Sequence, residues 1–146
     1  KKALDVFPPM KKGIEILLKD FKNENTDQRS EMEKYKNKVK NNINKLINNG
    51  NLDEAKELIN EYEENAEDDI EINSMRSVIY LMESNLSKAK EEILNGLKKN
   101  NSNFDLLYNL GYLYEKEEKY KRAYKVYLEA KDLKINESEK NEVNQL

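Results

Sequence analysis

Two groups of side chains in this sequence have the types and spacing to do chemistry. The first is the acidic run from Glu61 to Glu71, whose carboxylates suit a hard cation such as Ca²⁺ or Mg²⁺. It lacks the Gly and the alternating ligand spacing of a calcium loop. It reads instead as a solvated loop whose acids favour the start of the following helix through the helix dipole. The second is the pair Tyr108 and Tyr112, one helical turn apart. Two aromatic platforms with hydroxyls able to hydrogen-bond would suit a ligand where they face a groove, a placement that their spacing alone does not give. The alternative is that both rings cover a neighbouring helix. Catalysis has little to work with. The chain holds no His and no Cys, which removes the commonest general acid–base and the commonest thiol nucleophile. The remaining carboxylates stand at ion-pair spacing on helix exteriors. No Gly-rich phosphate loop follows a strand, because no strand pattern is found. The residues point to a non-enzymatic binding protein without metal or cofactor.

The elements that must position those tyrosines are helices in a fixed register. Ala55, Ala89 and Ala123 stand 34 residues apart. Leu52, Leu86 and Tyr120 precede each alanine by three residues, and Ile59, Ile93 and Tyr127 follow by four. Leu46, Tyr80 and Tyr114 precede by nine. Such a period marks a stack of helical hairpins, each burying its apolar face on its neighbours. Along the chain, residues 1–9 end in Pro8-Pro9, which stops any helix before it and can start one after it. Met10, Ile14, Leu17, Leu18 and Phe21 then share one helical face. Helices are predicted over about 27–49, 52–65, 70–83, 86–99, 103–117 and 120–133. Ser102 with Asp105, and Asn136 with Glu139, have the spacing of capping pairs. The second pair predicts a separate polar helix over about 137–145.

Composition narrows the class. Charged residues are 38% and hydrophobic residues 37% of 146, with four Gly and two Pro. That suits one helix-rich domain with a thin core. Net charge is −3, from 26 basic and 29 acidic residues. No basic block marks a nucleic-acid binder. No apolar run reaches the roughly 18–20 residues that span a bilayer, and no signal peptide is visible. Without Cys there is no disulfide framework to argue for secretion, so the expected setting is cytoplasmic. The absent initiator Met and the linker-like residues 1–9 read as a piece of a longer protein.

The third unit carries the most specific pattern. Leu107, Leu110-Gly111, Tyr114, Tyr120, Ala123, Tyr127 and Ala130 resemble the tetratricopeptide repeat. Small residues at Gly111, Ala123 and Ala130 let two helices approach, with Tyr114 and Tyr127 filling the space beside them. The second unit departs from the pattern with Ser77 in place of Gly. The first departs at Ile43, and at Tyr62 where a small residue belongs. The resemblance implies an all-α superhelix of three hairpins, 36–69, 70–103 and 104–135. An N-terminal segment 10–35 would precede them, and a polar C-terminal capping helix 136–146 would follow. It also implies a concave face that binds a protein or peptide. Transferred by offset, that face would hold Asn37, Lys40, Asn41 and Asn44 from unit one. Unit two would supply Ser74 and Val78, beside Glu71, Leu81 and Met82. Unit three would supply Tyr108, Asn109 and Tyr112, beside Asp105. The asparagines offer both donor and acceptor to a peptide backbone; the plainer reading is a solvated helix face. Lys40 and Asn44 match two positions of the family's carboxylate clamp, but Met75, Asp105 and Asn109 replace the others, so a clamped C-terminal carboxylate is not expected.

The stretches Asn41–Glu63 and Asn103–Glu115 are also similar to repeat regions attached to bacterial, clostridial-type glycosyltransferases. That similarity implies an alternative role as a structural or dimerising accessory of an enzyme. The Met10–Phe21 stripe would then be a docking or homodimer surface rather than a cap on the first repeat.

Overall fold

The computed structural model of the chain describes residues 26–65 and 68–145. The expected linker 1–9 and the Met10–Phe21 stripe lie outside the described residues. Among the described residues the protein is all-α. The helices are α1 (Thr26–Asn48), α2 (Leu52–Asn65), α3 (Ile70–Met82), α4 (Leu86–Lys99), α5 (Phe104–Lys116) and α6 (Tyr120–Gln145). The chain divides into two compact units, one ending at Asp69 and the other starting at Ile70. No helix among the described residues is long and apolar enough to cross a membrane.

The 34-residue period is written in the backbone as well as in the side chains. Gly50, Ser84 and Glu118 each take a left-handed conformation, with φ of 78°, 59° and 61°. In each turn that residue's N–H bonds the carbonyl three residues back, at Ile47, Leu81 and Glu115. The next N–H, of Asn51, Asn85 or Lys119, reaches five residues back to Leu46, Tyr80 or Tyr114. This is the Schellman arrangement, which satisfies carbonyls that a helix end would otherwise leave unpaired. The carbonyls of Asn51, Asn85 and Lys119 then accept from the N–H of Ala55, Ala89 and Ala123. One residue therefore ends a helix and starts the next, which forces a tight antiparallel hairpin.

Only the first of these turns uses Gly, and that has a consequence for stability. A side chain in the left-handed region costs about 1–2 kcal/mol, partly offset by the greater unfolded-state entropy of Gly. Ser84→Gly and Glu118→Gly are expected to raise stability by about 0.5–1 kcal/mol. Gly50→Ala is expected to lower it by about 1 kcal/mol. Urea midpoints of the three variants check the signs.

In the first unit, Met32, Val39, Ile43, Leu46 and Ile47 of α1 and Ala55, Leu58, Ile59 and Tyr62 of α2 are buried. The departures at Ile43 and Tyr62 are core residues, 0% and 2% exposed. The Tyr62 hydroxyl donates to Asp69 Oδ2 at 2.9 Å, so the large residue at that position is held by a polar anchor.

In the second unit α5 packs on both α3 and α4 and pairs with α6. Its core joins Leu81, Ala89 and Ile93 to Leu106, Leu107, Leu110 and Leu113, with Val126 and Ala130. Two glycines permit the closest approaches. A Cβ on Gly96 would lie 2.5 Å from Leu106 Cδ1 and 3.0 Å from Asn73 Cβ. A Cβ on Gly111 would lie 2.5 Å from the Tyr127 ring. Tyr114 is only half-buried, so its truncation costs less than that of a core aromatic.

Two local expectations need correction. The α5 N-cap is Asn103, whose side chain accepts from the Leu106 N–H at 3.0 Å; it is not Ser102. The predicted break before residue 137 is absent, and α6 runs without interruption from Tyr120 to Gln145. No Gly or Pro interrupts that stretch, and an exposed Asn costs a helix interior well under 1 kcal/mol. Asn136 therefore stays helical, and the expected C-terminal capping helix is the polar continuation of α6.

Candidate functional site

The last hairpin carries the candidate site. Along α5, Phe104 and Tyr108 are one turn apart, and their rings stack at 6.1 Å with 23° between planes. Across the hairpin, Tyr127 of α6 meets Tyr108 at 5.5 Å and 50°. These separations and angles lie in the favourable range for aromatic pairs. The three rings border an apolar cavity of about 510 Å³, which Glu115, Ala130, Lys131 and Lys134 complete. Tyr108 is 53% exposed beside it, although a ring of that size normally seeks burial.

The polar groups around the cavity are ordered. The Tyr127 hydroxyl donates to Glu115 Oε1 at 2.5 Å. Burial first, then that bond and the charge of Glu115, hold the Tyr127 phenol above its ordinary range. It stays a protonated donor at every physiological pH. The Lys134 ammonium lies 4.7 Å from the Phe104 ring centre, a cation–π distance. One turn beyond Tyr108, Tyr112 is 39% exposed with Lys116 at 5.3 Å from its ring.

The residues expected on a concave face have divided fates. Tyr108 and Tyr112 are presented to solvent, Tyr108 at the cavity itself. Asn109 is buried. Its amide donates to Ser77 Oγ at 3.0 Å and to Ser74 Oγ at 3.3 Å. Asn109 and Ser74 therefore meet as a packing contact between α5 and α3. The hydroxyl of Ser77, fully buried, is the acceptor that makes this possible. Val78 is half-buried. In the first unit Asn37, Asn41 and Asn44 are exposed along one face of α1. Lys40 is 8% exposed and pairs with Asp69 Oδ2 at 3.0 Å. The expectation that Lys40 and Asn109 face a ligand is corrected: both serve the fold, because a buried amide or ammonium is held by internal partners. Within the acidic run, the described Asp69 behaves likewise. Asp69 serves Lys40 and Tyr62, and among the described residues no group of three side chains could hold a metal ion.

Phe104, Glu115, Lys131 and Lys134 were not among the expected site residues. The signal for them was the period itself: each lies 34 residues after Ile70, Leu81, Leu97 and Asn100. The first three of these belong to, or pack against, the core that receives α5.

Compared with known proteins, the chain matches no family model, and no curated protein or solved structure matches it.

Proposed function

We propose that this chain is a non-catalytic protein-binding module of the tetratricopeptide type, acting in the cytoplasm. It takes its partner on the aromatic face of the last hairpin. The observation that carries this reading is the open cavity with Tyr108 half out of the protein beside it. Partly exposed aromatics grouped around a cleft are the usual anchors of protein interfaces. The 34-residue repetition of turns, caps and alanines supports the repeat assignment. The reading keeps Tyr108 and Tyr112 from the expected concave face and gives no ligand role to Lys40 or Asn109.

Partner capture from a lysate of the producing cells tests it. The baits are the parent chain and a Tyr108→Ala/Tyr112→Ala variant with an equal melting temperature. The expected outcome is a partner held by the parent and released by the variant. Equal capture by both baits removes the aromatic face as the working surface.

A further inference from the structure

The 34-residue register says what kind of object fits the open face. In hairpin α3/α4, Leu81 and Ile93 share one core with Leu106, Leu107 and Leu110 of α5, and Ile70 and Leu97 pack against it. Gly96 lies directly beneath Leu106. Those five positions make up the seat on which a helix rests. Adding one period gives Phe104, Glu115, Tyr127, Ala130 and Lys131, and all five line the cavity. The sixth, Tyr108, corresponds to Ser74, which accepts from Asn109 of α5. The cavity thus repeats, on hairpin α5/α6, the positions that seat α5 on α3 and α4.

The chemistry of the seat has changed between the two copies. Leu97 and Asn100 are replaced by Lys131 and Lys134, and Leu81 by Glu115, whose carboxylate already accepts from the Tyr127 hydroxyl, so the two ammonium groups are the charges left to a guest. The first half of α6 also carries Lys121, Arg122 and Lys125 against only Glu129 and Asp132. All five basic residues are exposed, in a chain whose net charge is −3. On the same helix Tyr120, Tyr124 and Leu128 are exposed, at 63%, 65% and 39%. At i, i+4 and i+8 they extend the apolar strip alongside the cavity.

We propose that this face binds an acidic amphipathic helix of a partner protein, seated as α5 sits on α3 and α4. The proposal rests on the protein-binding reading above. Apolar residues of the guest at i, i+3, i+4 and i+7 enter between Phe104, Tyr108 and Tyr127, and its acids meet Lys131 and Lys134. Complementary charge sets which helix is accepted. The chain's own Met10–Phe21 stripe is a poor guest, because Lys11, Lys12 and Lys19 outnumber Glu15 and Asp20.

The test uses four labelled probes in fluorescence anisotropy. Two are designed helical peptides with one apolar face in common, one flanked by Glu and the other by Lys. The third is the Glu peptide with a central Pro, and the fourth is a single-stranded oligonucleotide. We expect the Glu helix to bind at least tenfold tighter than the other three. We expect Lys131→Glu/Lys134→Glu to erase that margin, and Lys38→Glu, an exposed charge on α1, to leave it intact. Equal affinity for the Glu and Lys helices, or for the Pro-broken peptide, overturns the acidic-helix proposal. So does tighter binding of the oligonucleotide, or no binding by any probe. The broader reading falls only if partner capture is also indifferent to Tyr108 and Tyr112, so the two failures are distinguishable.

Discussion

Leu106→Ala is expected to destabilise the protein by about 4 kcal/mol, near the top of the range for emptying a buried leucine site. Leu106 has no exposed surface, and it sits in the depression that Gly96 leaves on α4. Its removal opens a void between two hairpins, each closed at its tip by a Schellman turn, and the paired helices resist collapsing to fill it. Gly96→Ala is expected to be harmful for the opposite reason, by about 1–3 kcal/mol, because the new methyl would overlap the Leu106 side chain. Together the two changes relieve each other. The added methyl occupies part of the space that the leucine vacated, and the double variant is expected to be more stable than the sum of the singles by more than about 0.5 kcal/mol. Chemical denaturation of the four proteins of the cycle measures this. Strict additivity would mean that Leu106 and Gly96 do not touch.

Leucine at the repeated alanines is expected to produce the second large loss. Ala55, Ala89 and Ala123 are 0%, 0% and 3% exposed, and each N–H donates the first bond of its helix to the carbonyl of the preceding turn residue, Asn51, Asn85 or Lys119. Three extra heavy atoms at any of them must displace the facing helix, at about 1–3 kcal/mol each. The losses are expected to be alike, because turn, cap and alanine recur as one geometry. Thermal melts of Ala55→Leu, Ala89→Leu and Ala123→Leu decide it. A parent-like melt for any one of them would show that its hairpin does not share the packing of the others.

These residues also show how far the sequence could be read. The hairpins and their core were legible because local and tertiary signals agree. Asn49-Gly50-Asn51 is a turn by composition, the alanines repeat, and the apolar stripes keep one face. The turns at Ser84 and Glu118 lack Gly and were placed only by the period. The Lys40–Asp69 pair spans 29 residues and the Asn109–Ser77 bond 32; neither has a local signature, so both polar residues looked available for a ligand. At Asn136 a capping signal competed with an uninterrupted run of helix-compatible residues, and propagation, which needs no new nucleus, prevailed. Tyr108 was found by offset from the family pattern. Its neighbours Phe104 and Lys134 were not, because their significance appears only when hairpin α5/α6 is overlaid on hairpin α3/α4.

The unbroken course of α6 divides that helix into two thermodynamic parts. Up to Leu133 its inner face is held by α5, since Ala123, Val126 and Ala130 are buried and Leu133 packs against the same core. These residues unfold only with the hairpin. From Lys134 to Glu139 every side chain is exposed, and the Lys134–Glu137 pair at 3.9 Å is a surface contact of small worth. That stretch is helical on local propensity and on the nucleus that its own first half provides. It opens from the far end inward, at a small fraction of the global unfolding free energy. Lys134 stands at the boundary between the two regimes. A guest helix resting against it would therefore move that boundary outward, and the ordering of the outer turns would itself weaken the apparent affinity.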